Sequence, residues 1–243
     1  MSVGAVFATA LGTALATGLG ALPFAFLGRP SPAWSGMANA LAAGSMAGAS
    51  IGLVFEGSKF GSGRVAAGVA CGALFIAVTA RLLGRGRHSH FESARGADAT
   101  RMLLIVGVMT VHSFTEGVGI GVSFGGGKTL GLVIALAIAV HNIPEGLAIS
   151  LVLIPRGVTV PRAAAWSIFS SLPQPLMAVP AFLFVEAFRP LLPVGLGFAA
   201  GAMLWMTAVE LLPEAVRVAA AWRVALVAAV AAAAMIALQA ALL

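Results

Sequence analysis

Apolar runs of about 20 residues recur along this chain, and charged residues fall almost entirely between them. As an α-helix, each run is long enough to cross a hydrocarbon core of ~30 Å. Inside a bilayer no water is available for unpaired backbone groups, so such runs are expected to be helical. Of the 243 residues, 60% are hydrophobic and only 9% are charged, whereas a soluble domain charges about a quarter of its residues. A water-soluble globule is therefore excluded. Eight spans are predicted: 3–27, 34–55, 63–84, 101–123, 129–154, 162–187, 191–213 and 219–243. The links between them hold turn-forming residues: Gly28-Arg29-Pro30, the stretch from Gly57 to Gly63, Gly125-Gly126-Gly127, Pro155-Arg156-Gly157 and Arg189-Pro190. Only 85–100 is long and polar. The expected fold class is an all-α membrane protein, with 1–243 as one transmembrane domain.

A net charge of +6 and a pI near 11.3 would also suit a nucleic-acid binder. The cations, however, stand singly or in small groups between apolar runs, the pattern of membrane topology, so the expected partner is lipid and not nucleic acid. The odd loops hold ten of them: Arg29, Arg81, Arg85, Arg87, Arg95, Arg101, Arg156, Arg162, Arg217 and Arg223. The even loops hold four, Lys59, Arg64, Lys128 and Arg189. This bias places the odd loops in the cytoplasm and both termini on the opposite side, in keeping with an even number of spans. The N-terminal run has no basic n-region and is too long for a secretory signal, so it reads as the first span. The single cysteine, Cys71, rules out an intramolecular disulfide.

The fourth span contains His112-Ser113-Phe114-Thr115-Glu116-Gly117, and the fifth contains His141-Asn142-Ile143-Pro144-Glu145-Gly146. Each His–Glu pair is four residues apart, one turn along the same helix face. The short glycine-rich link makes the two helices antiparallel neighbours, so the four side chains can converge at mid-membrane depth. An ionised carboxylate there costs at least ~2.5–3.5 kcal/mol, so it must be paired, protonated or metal-bound. Packing alone rarely justifies two such pairs side by side. Two imidazoles and two carboxylates form a donor set of charge −2, suited to Zn²⁺ and also to Fe²⁺ or Mn²⁺. Pro144 frees the carbonyl of Val140, and Gly117 and Gly146 permit close approach.

A faint internal repeat is also present. Leu41-Ala42-Ala43-Gly44-Ser45-Met46 in span 2 and Phe198-Ala199-Ala200-Gly201-Ala202-Met203 in span 7 both run on to an acid, Glu56 and Glu214. Oppositely oriented repeats around a central site would produce this pattern. Two small-residue packing surfaces could also look alike by chance.

The paired histidine–glutamate segments resemble the metal-site helices of the ZIP family, in its GufA-like branch. The resemblance extends to Ser171-Leu172-Pro173-Gln174-Pro175 and to the stretch from Ala200 to Met203 and on through Glu210-Leu211-Leu212-Pro213-Glu214. It is strong over 101–217 and weaker in the first three spans. It implies eight helices, with spans 1–3 and 6–8 as inverted three-helix repeats around a central two-helix metal site. It also implies a homodimer and movement of Zn²⁺, Fe²⁺, Mn²⁺ or Cd²⁺ toward the cytoplasm, by an elevator-like slide of spans 1, 4, 5 and 6. By position, His112, Glu116, His141 and Glu145 match the main metal site. Ser113, Asn142 and Gln174 match a second site that shares Glu145. Many relatives have Asn at the first of these positions and Glu at the last, so the second site is expected to be weak here. Glu210 and Glu214 resemble exit-path acids, Glu214 equally suiting a solvated helix end. His88 and His90 in the long loop are candidate transient metal contacts. Glu56 and Glu186 are expected at the interface, and Met37 and Met46 in packing.

No organic cofactor is expected. Two other readings use the same residues. An intramembrane metalloenzyme would activate water at the ion, but no HExxH motif and no spare general base accompany the ligands. A proton-coupled carrier of a small organic solute would use Glu116 and Glu145 as proton sites. It would need a roomier cavity with aromatic or arginine groups, where spans 4 and 5 offer mainly Ala, Gly, Val and Ile.

Overall fold

The computed structural model of the protein describes residues 1–27, 31–85 and 94–243; His88 and His90 lie outside them. Helix α1 (Val3–Thr17), a 3₁₀ turn and α2 (Phe24–Leu27) form the first span. The second to fifth are α3 (Pro32–Ser58), α4 (Ser62–Arg85), α5 (Ala94–Gly125) and α6 (Lys128–Leu153). The sixth is split into α7 (Val160–Ser171) and α8 (Pro173–Ala187). The seventh is α9 (Leu192–Met206), a π-turn over Thr207–Leu211 and α10 (Leu212–Val218); the eighth is α11 (Ala221–Leu242). No strand occurs among the described residues. Seven of these spans are long and apolar enough to cross a membrane, and the 32-residue α5 packs among them as the eighth long helix.

Local chemistry sets the breaks. Ser2 and Ser31 cap α1 and α3 by accepting from the amides of Ala5 and Trp34. The turn between α5 and α6 passes through Gly127 at φ 132°, a conformation that favours glycine. Pro173 has no N–H and would crowd the carbonyl of Phe169, so the sixth span breaks at Leu172. Pro213 likewise cannot bond Val209, and the ladder widens there: Leu212 N–H reaches back to the Thr207 carbonyl. At its start, α5 runs back to Ala94, well inside the polar 85–100 stretch.

The packing has a hidden symmetry. Exchange the first span with the sixth, second with seventh, third with eighth and fourth with fifth. The pairing of α4 with α9 then becomes that of α11 with α3, and the pairing of α5 with α8 becomes that of α6 with α1. The pairing of α3 with α6 becomes that of α9 with α5. The remaining close pairs, α3 with α9, α5 with α6 and α1 with α8, map onto themselves. Gly44 packs against the Ala228 carbonyl of α11, and Gly201 against the Val69 carbonyl of α4, in equivalent places. The sequence likeness around these glycines is thus a true inverted repeat. Two helix groups result: α1, α2 and α5–α8 on one side, and α3, α4 and α9–α11 on the other. Ala42, Ala43, Met46, Ala199, Ala200 and Met203, where α3 meets α9, are completely buried.

Candidate metal centre

Helices α5 and α6 meet at the centre of the exchange, and their His–Glu pairs face one another there. His112, Glu116, His141 and Glu145 are at most 1% exposed. Each offers one ligand atom, and all four atoms lie within 4.8 Å of one another. Donors at ~2.0–2.2 Å from one ion stand at most about 4 Å apart, so small side-chain rotations would close the set. His88 and His90 are outside the described residues and are not placed relative to it.

Glu116 is the hub. Its Oε1 is 2.6 Å from His141 Nε2 and 3.1 Å from His112 Nε2, the latter outside hydrogen-bond geometry. Its Oε2 accepts from Gln174 Nε2 at 2.6 Å. Gln174 is committed at its other end too: Oε1 accepts from Thr13 Oγ1 at 2.6 Å and from Asn142 Nδ2 at 3.2 Å. The same Asn142 amide donates to the Thr13 carbonyl at 2.8 Å. Helices α1, α5, α6 and α8 are tied together by this network.

Other buried groups have no partner. Both carboxylate oxygens of Glu145 are unpaired, as are Nδ1 of His112 and of His141, Ser113 Oγ and Asn142 Oδ1. A buried polar atom left unsatisfied costs about 1–3 kcal/mol, and a charged one more. Such a cluster is a standing demand for a cation or protons. Its nitrogen and carboxylate donors suit a divalent transition metal.

Close backbone contact fixes the walls. A Cβ on Gly117 would run into the Gln174 carbonyl, and one on Gly146 into the Thr17 carbonyl. Helices α8 and α1 therefore lie flush against α5 and α6, one residue past each glutamate. Thr17 Oγ1 and Ser171 Oγ, 2.8 Å apart, tie the end of α1 to the end of α7, just before α8 begins.

Ser113, Asn142 and Gln174 are all buried beside the cluster, but only Ser113 Oγ and Asn142 Oδ1 remain free. Glu210 sits half-buried on the π-turn, near enough to His112 for the two to interact electrostatically. Glu214 is exposed and pairs with Arg217 at 3.1 Å, as a solvated helix end would. Glu186 is exposed. Glu56 differs from expectation: it is 5% exposed, with the half-exposed Lys59 reaching it at 2.6 Å. Met46 packs in the core.

Sequence reasoning missed Thr13 and Thr17. A signal existed, since the register shift that carries Thr17 onto Gln174 also carries Thr13 onto Ser170 and Pro23 onto Pro180.

Residues 85–240 match the family model described as ZIP Zinc transporter. The chain is 50% identical over 242 residues to a putative zinc transporter of Arabidopsis thaliana, covering 98% of this chain and 39% of that protein. It is 37% identical over 233 residues to the zinc transporter GufA of Myxococcus xanthus, covering 89% and 90%. It is 32% identical over 131 residues to the zinc transporter ZIPB of Bordetella bronchiseptica, covering 54% and 41%. The chain thus spans less than half of the plant and Bordetella proteins and most of the Myxococcus one.

Proposed function

Because the chain belongs to the ZIP zinc transporter family, we propose that it carries divalent transition-metal ions, Zn²⁺ foremost, across a membrane through the centre formed by His112, Glu116, His141 and Glu145. The observation that carries this reading is the convergence of four buried ligand atoms within 4.8 Å, with both oxygens of Glu145 lacking any partner.

In this mechanism the arriving ion exchanges hydration water for imidazole nitrogen and carboxylate oxygen. Glu116 Oε1 gives up its contact with His141 Nε2 to the ion, while Gln174 keeps hold of Oε2, so the carboxylate stays aimed. Glu145 supplies the oxygens that have no competing partner. Fe²⁺, Mn²⁺ and Cd²⁺ suit the same donors, since ligand type selects weakly among such ions. Release proceeds past Glu210 toward the cytoplasm, as the two helix groups slide past each other in an elevator-like cycle. Both termini then lie on the non-cytoplasmic side, and the working unit is a homodimer. The second site around Ser113, Asn142 and Gln174 is weak, because the Gln174 carboxamide is already engaged at both ends. No chemical reaction is needed, and the relatives' names are those of transporters.

The test is Zn²⁺ flux into proteoliposomes, comparing the protein with a His141→Ala, Glu145→Ala double variant. Flux that disappears in the double variant supports the route. Equal flux in both would remove these residues from it. Metal binding without flux in the unaltered protein would move the metalloenzyme reading ahead.

A further inference from the structure

An apolar crevice of about 460 Å³ opens between α5, α8 and α9, and none of its lining residues belongs to the His–Glu cluster. Val118, Val122, Ala181 and Gly195 form its floor, and Pro180, Phe184 and Leu191 its exposed rim. It lies on the seam between the two helix groups, so anything seated in it touches both.

The inverted repeat supplies a comparison within the same molecule. The shift that carries Gly117 onto Gly146 carries Val118 onto Leu147 and Val122 onto Leu151. The shift that carries Gly44 onto Gly201 and Thr17 onto Gln174 relates Ala38 to Gly195, Pro23 to Pro180 and Phe24 to Ala181. At this related position the protein fills its own seam: Phe24, Ala38 and Leu151 form a buried cluster, with Leu147 packed against it. Every one of these residues except the shared proline is replaced at the crevice by a smaller one. The crevice is therefore a place where the fold accommodates an apolar filler but the sequence has removed it.

The surroundings identify the substitute. Leu176, Leu183 and Phe188 continue the apolar surface outward along α8 and are at least 49% exposed, as a lipid-facing surface would be. Arg189 and Pro190 stand immediately before the rim residue Leu191, and Arg64 Nη1 donates to the Pro190 carbonyl at 3.4 Å. Lys128 follows the Gly125–Gly127 turn, where Gly126 lies against Leu192. Among the described residues no ion pair engages Arg64, Lys128 or Arg189. The exposed Glu186 is the one acid nearby on α8, leaving this end of the crevice cationic. An apolar slot in a membrane-facing wall, with free cations at its interfacial end, fits a two-part ligand. We infer that the crevice holds an acyl chain of one anionic glycerophospholipid, its phosphate resting on Arg64 and Arg189. This site is separate from the metal centre and does not depend on which ion is carried.

The experiment is native mass spectrometry of the purified protein with added dioleoylphosphatidylglycerol or dioleoylphosphatidylcholine, which differ only in headgroup. The expected result is a single retained lipid, with the anionic one preferred on the order of tenfold. Ala181→Phe, which copies the related position, should abolish retention of both lipids while leaving Zn²⁺ binding intact. An Arg64→Gln, Arg189→Gln double variant should keep one lipid and lose the preference. Should Ala181→Phe not fold, the milder Val118→Leu, which copies Leu147 of the related position, carries the same expectation. Unchanged retention in the filled variant, or many adducts blind to the headgroup, would overturn the proposal.

Discussion

Glu145 shows how a single residue can be fit for a cation and ill at ease without one. Its two oxygens are buried and unpartnered, whereas Glu116 is held from both sides. Glu145→Gln should therefore weaken Zn²⁺ binding by about 10–100-fold or more while leaving the helices in place, as isothermal titration on detergent-solubilised protein would report. Acid should act in the same direction, because protons and metal compete for imidazole and carboxylate. Zn²⁺ affinity is expected to fall at least about tenfold between pH 7.5 and pH 5, and a flat profile would count against these ligands. Gln174 offers a sharper test, since its amide N–H is what steadies Glu116 Oε2 at 2.6 Å. Gln174→Glu sets two carboxylates against each other, so the metal-free variant should lose about 3 kcal/mol of stability, seen as a lower melting temperature. The same variant should bind a second Zn²⁺ that the unaltered protein does not retain, a difference visible in elemental analysis after desalting. That these four side chains form one group was legible because helical spacing alone puts i and i+4 on one face. Thr13 was harder to read, because its match to Ser170 in the faint repeat does not say what it touches until α1 is known to lie beside α6 and α8.

Among the elements, the least legible were those governed by what a residue lacks. Hydropathy marks where spans begin and end, and the eight predicted stretches correspond to the observed ones within a few residues at most ends. It does not register the break at Leu172–Pro173 or the π-turn over Thr207–Leu211. Both follow from a proline's missing N–H, whose consequence depends on how neighbouring helices satisfy the freed carbonyl. The back-extension of α5 to Ala94 was hidden for the opposite reason, because Ala and Arg are good helix formers even where the stretch is too polar to count as a span. Close approach between elements is similarly silent until the backbone is built. At Gly146 the neighbour that would meet a Cβ is the carbonyl of Thr17, a backbone atom that cannot swing aside. Gly146→Ala should therefore push α1 off α6, costing about 1–3 kcal/mol or more in thermal stability. Zn²⁺ binding should weaken with it, since α1 brings Thr13 to Gln174. Gly12→Ala, on the same α1 helix but with open space around it, should leave both unchanged.

For the molecule as a whole, the exchange of spans 1–3 with 6–8 gives two helix groups joined at a seam, with the metal centre on the side of α5 and α6. In sequence this symmetry showed only faintly outside the paired His–Glu segments, in the alanine–glycine runs and a few matched positions such as Pro23 and Pro180, because helices facing lipid or one another need volume and apolarity more than identity. If the groups slide during transport, a covalent link across the seam must stop the cycle without touching the ligands. Val122 on α5 and Gly195 on α9 provide a suitable pair, since a Cβ on Gly195 would lie 3.3 Å from that of Val122, close to the ~3.5–4.5 Å span of a disulfide. With Cys71 replaced by Ser, a Val122→Cys, Gly195→Cys variant should transport Zn²⁺ when reduced, lose flux on oxidation and regain it with dithiothreitol. Zn²⁺ binding should persist throughout, because the link leaves the centre intact. Full flux in the oxidised and verified cross-linked protein would mean that ions pass while the seam is fixed, and the centre would then act as a station in a static pore.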